Sequence, residues 1–205
     1  MSFSRITIIG AGVMGQGIAR TVAATGIDVL VVDKTLEKLR NGIECMTEDM
    51  DADIRRWGLT EAEKKAILAR VQTSENLENL KGSDLVIECI EEDFSKKRKL
   101  FSHIDKIAPK DCIFITNTST LSVTELAAAT RRTKEFIGLH FLHPVHKIPV
   151  VELVRGLYTS EETFEKITIF IREIGKTPVQ VYEYPGYITT RVILPMLNEA
   201  MKVLM

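Results

Sequence analysis

The chain has 205 residues, of which 45% are hydrophobic and 27% are charged, and its formal net charge is −1. This length suits one domain of fair size, or one domain and part of a second, and the apolar fraction is enough for a real core. The near-neutral charge gives no sign of a surface for nucleic acid or anionic membrane, and no apolar run approaches the ~20 residues that span a bilayer.

The N-terminus and the cysteines indicate the compartment. The opening segment MSFSRITIIGAG lacks the basic region and the long apolar stretch of a signal peptide. Cys45, Cys89 and Cys112 form no C-x-x-C pair, and the last two lie in apolar runs, where a free thiol behaves as a small hydrophobe. We therefore expect a reduced, cytoplasmic protein.

Strand-like apolar runs alternate with helical patterns from the first residues onward. The predicted strands cover residues 5–10, 28–33, 83–90, 112–119, 135–142, 149–156 and 178–184. The predicted helices cover residues 13–26, about 34–57, a segment from 60, 95–108, a segment from 122, 161–174 and 186–205. Strands separated by helices are typical of a parallel sheet with helices on both faces. We therefore predict an α/β fold with a doubly wound, mainly parallel sheet.

Two of these helices carry a start signal. Thr60 with Glu63, and Ser122 with Glu125, have the spacing of a capping box, in which a hydroxyl and a carboxylate three residues apart satisfy free backbone N–H groups. The last helix differs, because its apolar residues recur on one face and no later segment of the sequence could cover them. These residues are Ile193, Met196, Leu197, Ala200, Met201 and Leu204. We expect this face to pack against another subunit or against a further helical domain.

The segment GAGVMG is a G-x-G-x-x-G motif, directly after a predicted strand and at the start of a helix. Gly10 permits a tight turn, Gly12 lets a pyrophosphate approach the backbone, and Gly15 lets the helix pack closely on the sheet. The second strand ends in Asp33, which is placed to bind a ribose 2′-OH and would repel a 2′-phosphate. The motif predicts a Rossmann-type site that binds NAD rather than NADP.

Polar residues follow the next two predicted strands. Because ligands bind at the carboxyl ends of the strands in such sheets, these residues are expected near the cofactor. They are Glu91, Glu92 and Lys97 after one strand, and Asn117, Thr118 and Ser119 after the other.

The segment HFLHPVHKIPVVELV holds three histidines and one carboxylate. His140 and Glu152 lie on two predicted strands that are joined by a proline-containing turn, so the imidazole and the carboxylate could come within hydrogen-bond reach. A carboxylate on one ring nitrogen fixes the tautomer and stabilises the imidazolium, as a base for alcohol oxidation requires. For His146 the sequence gives no reason to expect more than an ordinary loop histidine.

Six segments in this order resemble the L-3-hydroxyacyl-CoA dehydrogenases, including the bacterial 3-hydroxybutyryl-CoA dehydrogenases, over essentially the whole chain. They are IIGAGVMGQGIA, VIECIEEDFSKKRKLFSHID, TNTSTLSVTELA, GLHFLHPV, VVELV and PGYITTRVILPMLNEA. The resemblance implies reversible NAD-dependent oxidation of an L-3-hydroxyacyl-CoA to the 3-ketoacyl-CoA. It also implies an NAD-binding domain over residues 1–184 and, over residues 185–205, the first helix of an all-α C-terminal domain.

The resemblance assigns roles to individual residues. His140 becomes the catalytic base, Glu152 its orienting partner, and Ser119 the donor to the reacting oxygen of the substrate. The cofactor-binding set is Gly10, Gly12, Val13, Met14, Gly15, Asp33, Glu92, Lys97, Asn117, Ser119 and His143, and the substrate-binding set is Ser119, His140 and Thr190. No metal is expected. The partners are an acyl-CoA substrate and, in the full-length form, a second copy of the chain, with no nucleic acid or membrane.

Three departures from the family pattern qualify this assignment. His143 stands where the family usually has an asparagine on the cofactor side of the site, and Thr190 stands where it usually has an asparagine that contributes to substrate contacts. The chain also stops within the first helix of the domain that closes the cleft and forms the dimer. Two alternatives therefore stay open: a dehydrogenase of a hydroxy acid without CoA, of the L-gulonate or carnitine type, and an NAD-binding fragment without useful turnover.

Overall fold

A computed structural model describes residues 3–204 of the chain. Within these residues lie seven α-helices and eight β-strands. The helices are α1 (Val13–Ala23), α2 (Leu36–Arg55), α3 (Glu61–Arg70), α4 (Phe94–Ile104), α5 (Val123–Ala127), α6 (Glu161–Glu173) and α7 (Thr189–Leu204). The strands are β1 (Arg5–Ile9), β2 (Asp28–Val32), β3 (Val71–Ser74), β4 (Leu85–Glu88), β5 (Ile113–Thr116), β6 (Phe136–Phe141), β7 (Val150–Val154) and β8 (Thr177–Val181). Short 3₁₀ turns cover Leu77–Gly82 and Thr133–Glu135.

The eight strands form one sheet in the order β3-β2-β1-β4-β5-β6-β7-β8. All neighbouring pairs are parallel except β6 and β7, which are antiparallel. This confirms the predicted α/β, mainly parallel architecture. The strand order reverses between β1 and β4, and ligands bind at such a reversal, beyond the carboxyl ends of the strands.

The core lies on both faces of the sheet, because the central strands are apolar on both sides. One layer joins the sheet to α1, α2, α3 and α6, with Ile18, Met46 and Phe170 among its members. The other joins it to α4 and α5, where Phe101 packs edge-on against Phe136 with the ring centroids 4.7 Å apart. The sheet is therefore doubly wound, as predicted.

Three details of the secondary structure differ from the sequence prediction or refine it. Strand β3 was not predicted. The Thr60 capping box is complete, with both the hydroxyl and the Glu63 carboxylate bonded to backbone N–H groups. At α5, the Ser122 hydroxyl accepts from the Glu125 N–H, but Ser122 also donates to Glu183, at 2.7 Å. The α5 N-terminus is therefore held by a carboxylate from another part of the chain.

Helix α7 exposes its apolar side chains, as its sequence pattern predicts. None of its residues is buried. The exposed set includes Ile193, Met196, Leu197, Met201 and Leu204. In residues 3–204 no helix combines the length and the apolarity that crossing a membrane requires.

Candidate active site

The turn between β1 and α1 requires glycine at two positions. Gly10 has a left-handed backbone with φ +111°, and a Cβ added there would lie 2.6 Å from the Cys89 carbonyl oxygen. A Cβ on Gly15 would lie 1.8 Å from the Gly10 carbonyl oxygen. No side chain fits in either place, so the turn can close and α1 can pack against it only with these glycines.

Gly12 faces open space instead. A Cβ built on it would have no atom within 4 Å, and no side chain caps the helix that starts after it. Gly12 lines a groove of about 780 Å³ together with Gly10, Val13 and Asp33. The first N–H groups of α1 lie at the positive end of the helix dipole, next to this open backbone. These features fit the pyrophosphate of a dinucleotide.

Asp33 is fixed at the edge of the same groove. Its Oδ2 accepts from the Ala11 N–H at 2.8 Å, and its Oδ1 accepts from the Lys34 N–H at 2.7 Å. The Lys38 ammonium lies 3.9 Å from Oδ1. A carboxylate held in this way can accept further hydrogen bonds from ribose hydroxyls, which fits the adenosine half of NAD.

Glu92 holds the loop that follows β5. Its Oε1 accepts from the N–H groups of Ser119 and Thr120, at 2.9 and 3.0 Å, and from the Thr118 hydroxyl. Burial raises the pKa of Glu92. The hydrogen bond from Thr118 and the charge of Lys97 lower this pKa by more than burial raises it, so the net shift is downward. The carboxylate is therefore ionised and fixes the backbone of Ser119.

A buried ion pair lies beneath this loop. The Lys97 ammonium is 2.6 Å from Glu88 Oε1 and 3.4 Å from Glu92 Oε2, and the side chains of Lys97 and Glu88 are 1% and 0% exposed. Glu88 also accepts from the Ile90 N–H and the Thr116 hydroxyl, each at 2.7 Å. Lys97, which was predicted to line the nicotinamide half, is thus buried and contacts Glu92, the residue that holds the Ser119 loop.

His140 and Glu152 face each other across the antiparallel pair β6 and β7, where they are register partners. His140 Nδ1 lies 2.6 Å from Glu152 Oε2, and both residues are buried. The other oxygen, Oε1, accepts from the N–H groups of Ile188 and Thr189 at 3.0 and 2.9 Å. Glu152 therefore binds the imidazole with one oxygen and the start of α7 with the other.

A cavity of about 270 Å³ opens beside this pair. It is lined by Met14, Asn117, Ser119, His140, Phe141, Leu142, His143, Thr189, Thr190, Ile193 and Leu194. It therefore brings together residues from both predicted sets, cofactor-binding and substrate-binding. Asn117 is fixed there, because its Oδ1 accepts from the Phe141 N–H at 3.0 Å.

The connection between β6 and β7, which carries His143, is anchored by residues that sequence reasoning did not single out. The buried Lys176 ammonium donates to the carbonyls of Val145 and Ile148, at 2.6 and 2.7 Å. His146 Nε2 lies 3.3 Å from an oxygen of Asp53 on α2. His146 is thus not merely a loop histidine, since it lies against another helix.

Two further residues at the site were not predicted. The Tyr187 ring lies beside His140, with the centroids 5.4 Å apart, and burial raises the pKa of the phenol. Glu88 lies in the apolar run LVIE. A carboxylate in an otherwise apolar central strand is a signal that could have been found, because such a group needs a buried partner.

The Glu152 contacts predict a specific pH dependence of stability. Burial raises the pKa of Glu152, but hydrogen bonds from His140 and Thr189 outweigh this, so its pKa in the folded protein lies below that of a free glutamate, about 4.3. The stabilisation that the ionised Glu152 carboxylate gives to the folded state is therefore complete above the pKa of a free glutamate. It is lost as the pH falls through the pKa of Glu152 in the folded protein. In urea unfolding, the stability difference between the wild type and Glu152→Gln is expected to be largest at neutral pH and to shrink on acidification. A stability difference between the two proteins that stayed constant on acidification would contradict this expectation.

Comparison with known proteins agrees with this geometry. The family described as "3-hydroxyacyl-CoA dehydrogenase, NAD binding domain" matches residues 5–184. The chain belongs to the 3-hydroxyacyl-CoA dehydrogenase family. It is 40% identical to a probable 3-hydroxybutyryl-CoA dehydrogenase of Bacillus subtilis over 200 residues, which cover 98% of this chain and 70% of the relative. It is 39% identical to human mitochondrial hydroxyacyl-coenzyme A dehydrogenase over 205 residues, covering 96% and 65%.

A solved structure has the same fold. The crystal structure of (S)-3-hydroxybutyryl-CoA dehydrogenase from Ralstonia eutropha superposes with a TM-score of 0.93 at 39% identity, covering 98% of this chain and 71% of that one. The groove at the β1–α1 turn, His140 and Glu152 all fall in residues 5–184, which match the NAD-binding domain of the family. Thr190 and the rest of α7 lie beyond them.

Proposed function

We propose that this chain carries the dehydrogenase site for reversible oxidation of an L-3-hydroxyacyl-CoA to the 3-ketoacyl-CoA, with NAD as the oxidant. The observation that carries the proposal is the buried His140–Glu152 pair, 2.6 Å apart, on the wall of a cavity that also contains Ser119. The CoA substrate class rests on the names of the relatives, whose sequences align over nearly all of this chain.

His140 is the proposed general base. With Nδ1 donating to Glu152, Nε2 has the free lone pair and can take the proton of the substrate hydroxyl. The Glu152 carboxylate stabilises the imidazolium that forms. When bound, NAD supplies the hydride acceptor. In the reverse direction the His140 imidazolium returns its proton to the ketone oxygen, and the Ser119 hydroxyl donates to that same oxygen.

The cofactor would lie along the carboxyl ends of β1, β2, β4 and β5. The pyrophosphate would bind at Gly10, Gly12, Val13, Met14 and Gly15, and the adenosine ribose at Asp33. The nicotinamide half would bind near Glu92, Lys97, Asn117, Ser119 and His143. Glu92 and Lys97 act there by ordering the Ser119 loop, since four hydrogen bonds converge on Glu92 Oε1.

The substrate would enter between the sheet and α7. Thr190 lies in the cavity wall beside His140, which supports a role in substrate binding. We further propose that residues 185–205 begin a helical C-terminal domain, which packs on the exposed apolar face of α7, and that the full-length protein is a homodimer.

Turnover assays with a panel of substrates test the proposal. NADH formation is measured with 3-hydroxybutyryl-CoA, 3-hydroxydecanoyl-CoA, carnitine and gulonate, and NAD binding is measured in parallel by calorimetry. Turnover of the CoA thioesters alone is the expected result. Turnover of carnitine or gulonate instead would overturn the substrate class. NAD binding without turnover of any of the four would overturn the catalytic proposal for this chain and leave the NAD site intact.

A further inference from the structure

The backbone of Ala11, between the first two glycines of the turn, has close neighbours on both sides. Its N–H donates to Asp33 at 2.8 Å. Its carbonyl oxygen faces α2 at Gly42, where an added Cβ would lie 2.5 Å from that oxygen and 3.1 Å from the Ala11 Cβ. Real Cβ atoms essentially never come within 3.0 Å of another heavy atom. Helix α2 can therefore approach the turn this closely only because residue 42 has no side chain.

Helix geometry does not explain this glycine. Gly42 lies within α2, and the described glycines with positive φ are Gly10, Gly26, Gly175 and Gly186. At an ordinary helical position glycine is less favourable than alanine. Helix propensity alone thus favours alanine at position 42, and the close approach to Ala11 is what opposes it.

We propose that Gly42 is a positioning residue for NAD, a fourth glycine of the phosphate turn that lies outside the G-x-G-x-x-G motif. By contacting the Ala11 carbonyl it lets α2 set the position of the peptide that precedes Gly12. Ala11, Gly12 and Gly42 all line the same groove. A side chain at position 42 pushes Ala11 toward the pyrophosphate or moves α2 away, and either change disturbs the backbone that receives the phosphates. The proposal rests on the NAD-binding assignment and is independent of the substrate.

Calorimetric titration of NAD into Gly42→Ala tests this. The Kd for NAD is expected to rise about tenfold, because overpacking a close contact typically costs at least about 1 kcal/mol. The melting temperature without NAD is expected to fall by a few degrees at most, because the better helix propensity of alanine offsets part of the cost of the displaced contact. The matched control is Gly58→Ala, in the turn after α2, where an added Cβ would meet nothing closer than 3.6 Å. This control is expected to leave the Kd unchanged.

Two further measurements separate a positioning role from general damage. ADP-ribose, which has the pyrophosphate but no nicotinamide, is expected to lose as much affinity as NAD, and a loss confined to NAD would contradict the proposal. Gly42→Ser places a Cβ at the same point and is expected to weaken NAD binding at least as much, and both variants are titrated well below their melting temperatures, where the folded state is populated. An NAD Kd within twofold of the wild type in both variants overturns the proposal, as does an equal loss of affinity in the control Gly58→Ala.

Discussion

Replacing His140 by glutamine is expected to lower kcat for the proposed 3-hydroxyacyl-CoA substrate by about 10²–10⁴-fold, the usual contribution of a positioned general base. The amide of glutamine can keep a hydrogen bond to Glu152 but cannot take the hydroxyl proton at neutral pH. The affinity for NAD is expected to stay within about twofold of the wild type, because the glycine turn of residues 10–15 and Asp33 follow other strands, β1 and β2.

The assay compares initial rates at saturating NAD with calorimetric NAD binding by the same variant. His146→Gln is the matched control, since it makes the same substitution in the connection that follows β6, where the ring lies against Asp53. This control is expected to retain turnover within about twofold. Full turnover by His140→Gln would rule out His140 as the base, whichever substrate class proves correct.

Replacing Lys97 by methionine is expected to lower the free energy of unfolding by about 3–5 kcal/mol, because it leaves a buried carboxylate without its cation. Glu88 is 0% exposed and would retain only the Ile90 N–H and the Thr116 hydroxyl as donors. Burial already raises the pKa of Glu88 against the opposing charge of Lys97. Without that charge, the carboxyl either stays ionised at a high cost or takes up a proton.

Urea unfolding at neutral pH measures this effect. Arg98→Met is the control on the same helix, where the side chain is exposed, and its expected effect is within about 0.5 kcal/mol. The double variant Glu88→Gln/Lys97→Met is expected to be more stable than Lys97→Met alone, because the unpaired charge is gone. If Lys97→Met proved as stable as Arg98→Met, the ion pair would have no structural importance.

The order of elements could be predicted from the sequence because most segments have a clear period. The central strands are short apolar runs covered on both faces, and the helices between them carry apolar stripes. Strand β3 was missed because its sequence, VQTS, is short and mostly polar, with no residue buried. Such an edge strand forms because β2 offers a free backbone edge, and local sequence does not reveal that.

The His140–Glu152 contact could also be predicted, since two strands joined by a short turn place such residues near each other. The register in the structure confirms that contact. The contacts of Glu88 and of Lys176 could not be predicted from sequence in the same way. Each depends on which buried groups meet after the sheet and helices have packed, and a lysine in the sequence does not indicate whether its ammonium will be solvated.

The two oxygens of Glu152 have a consequence for the whole site. One carboxylate binds both the imidazole of His140 and the first N–H groups of α7, so the orientation of the ring and the position of the helix depend on the same anion. Thermodynamic linkage makes this coupling mutual. A change that loosens α7 is therefore expected to loosen the contact between His140 and Glu152, and the reverse. Helix α7 thus contacts the site in two ways, through the cavity wall and through the Glu152 carboxylate that orients the His140 ring.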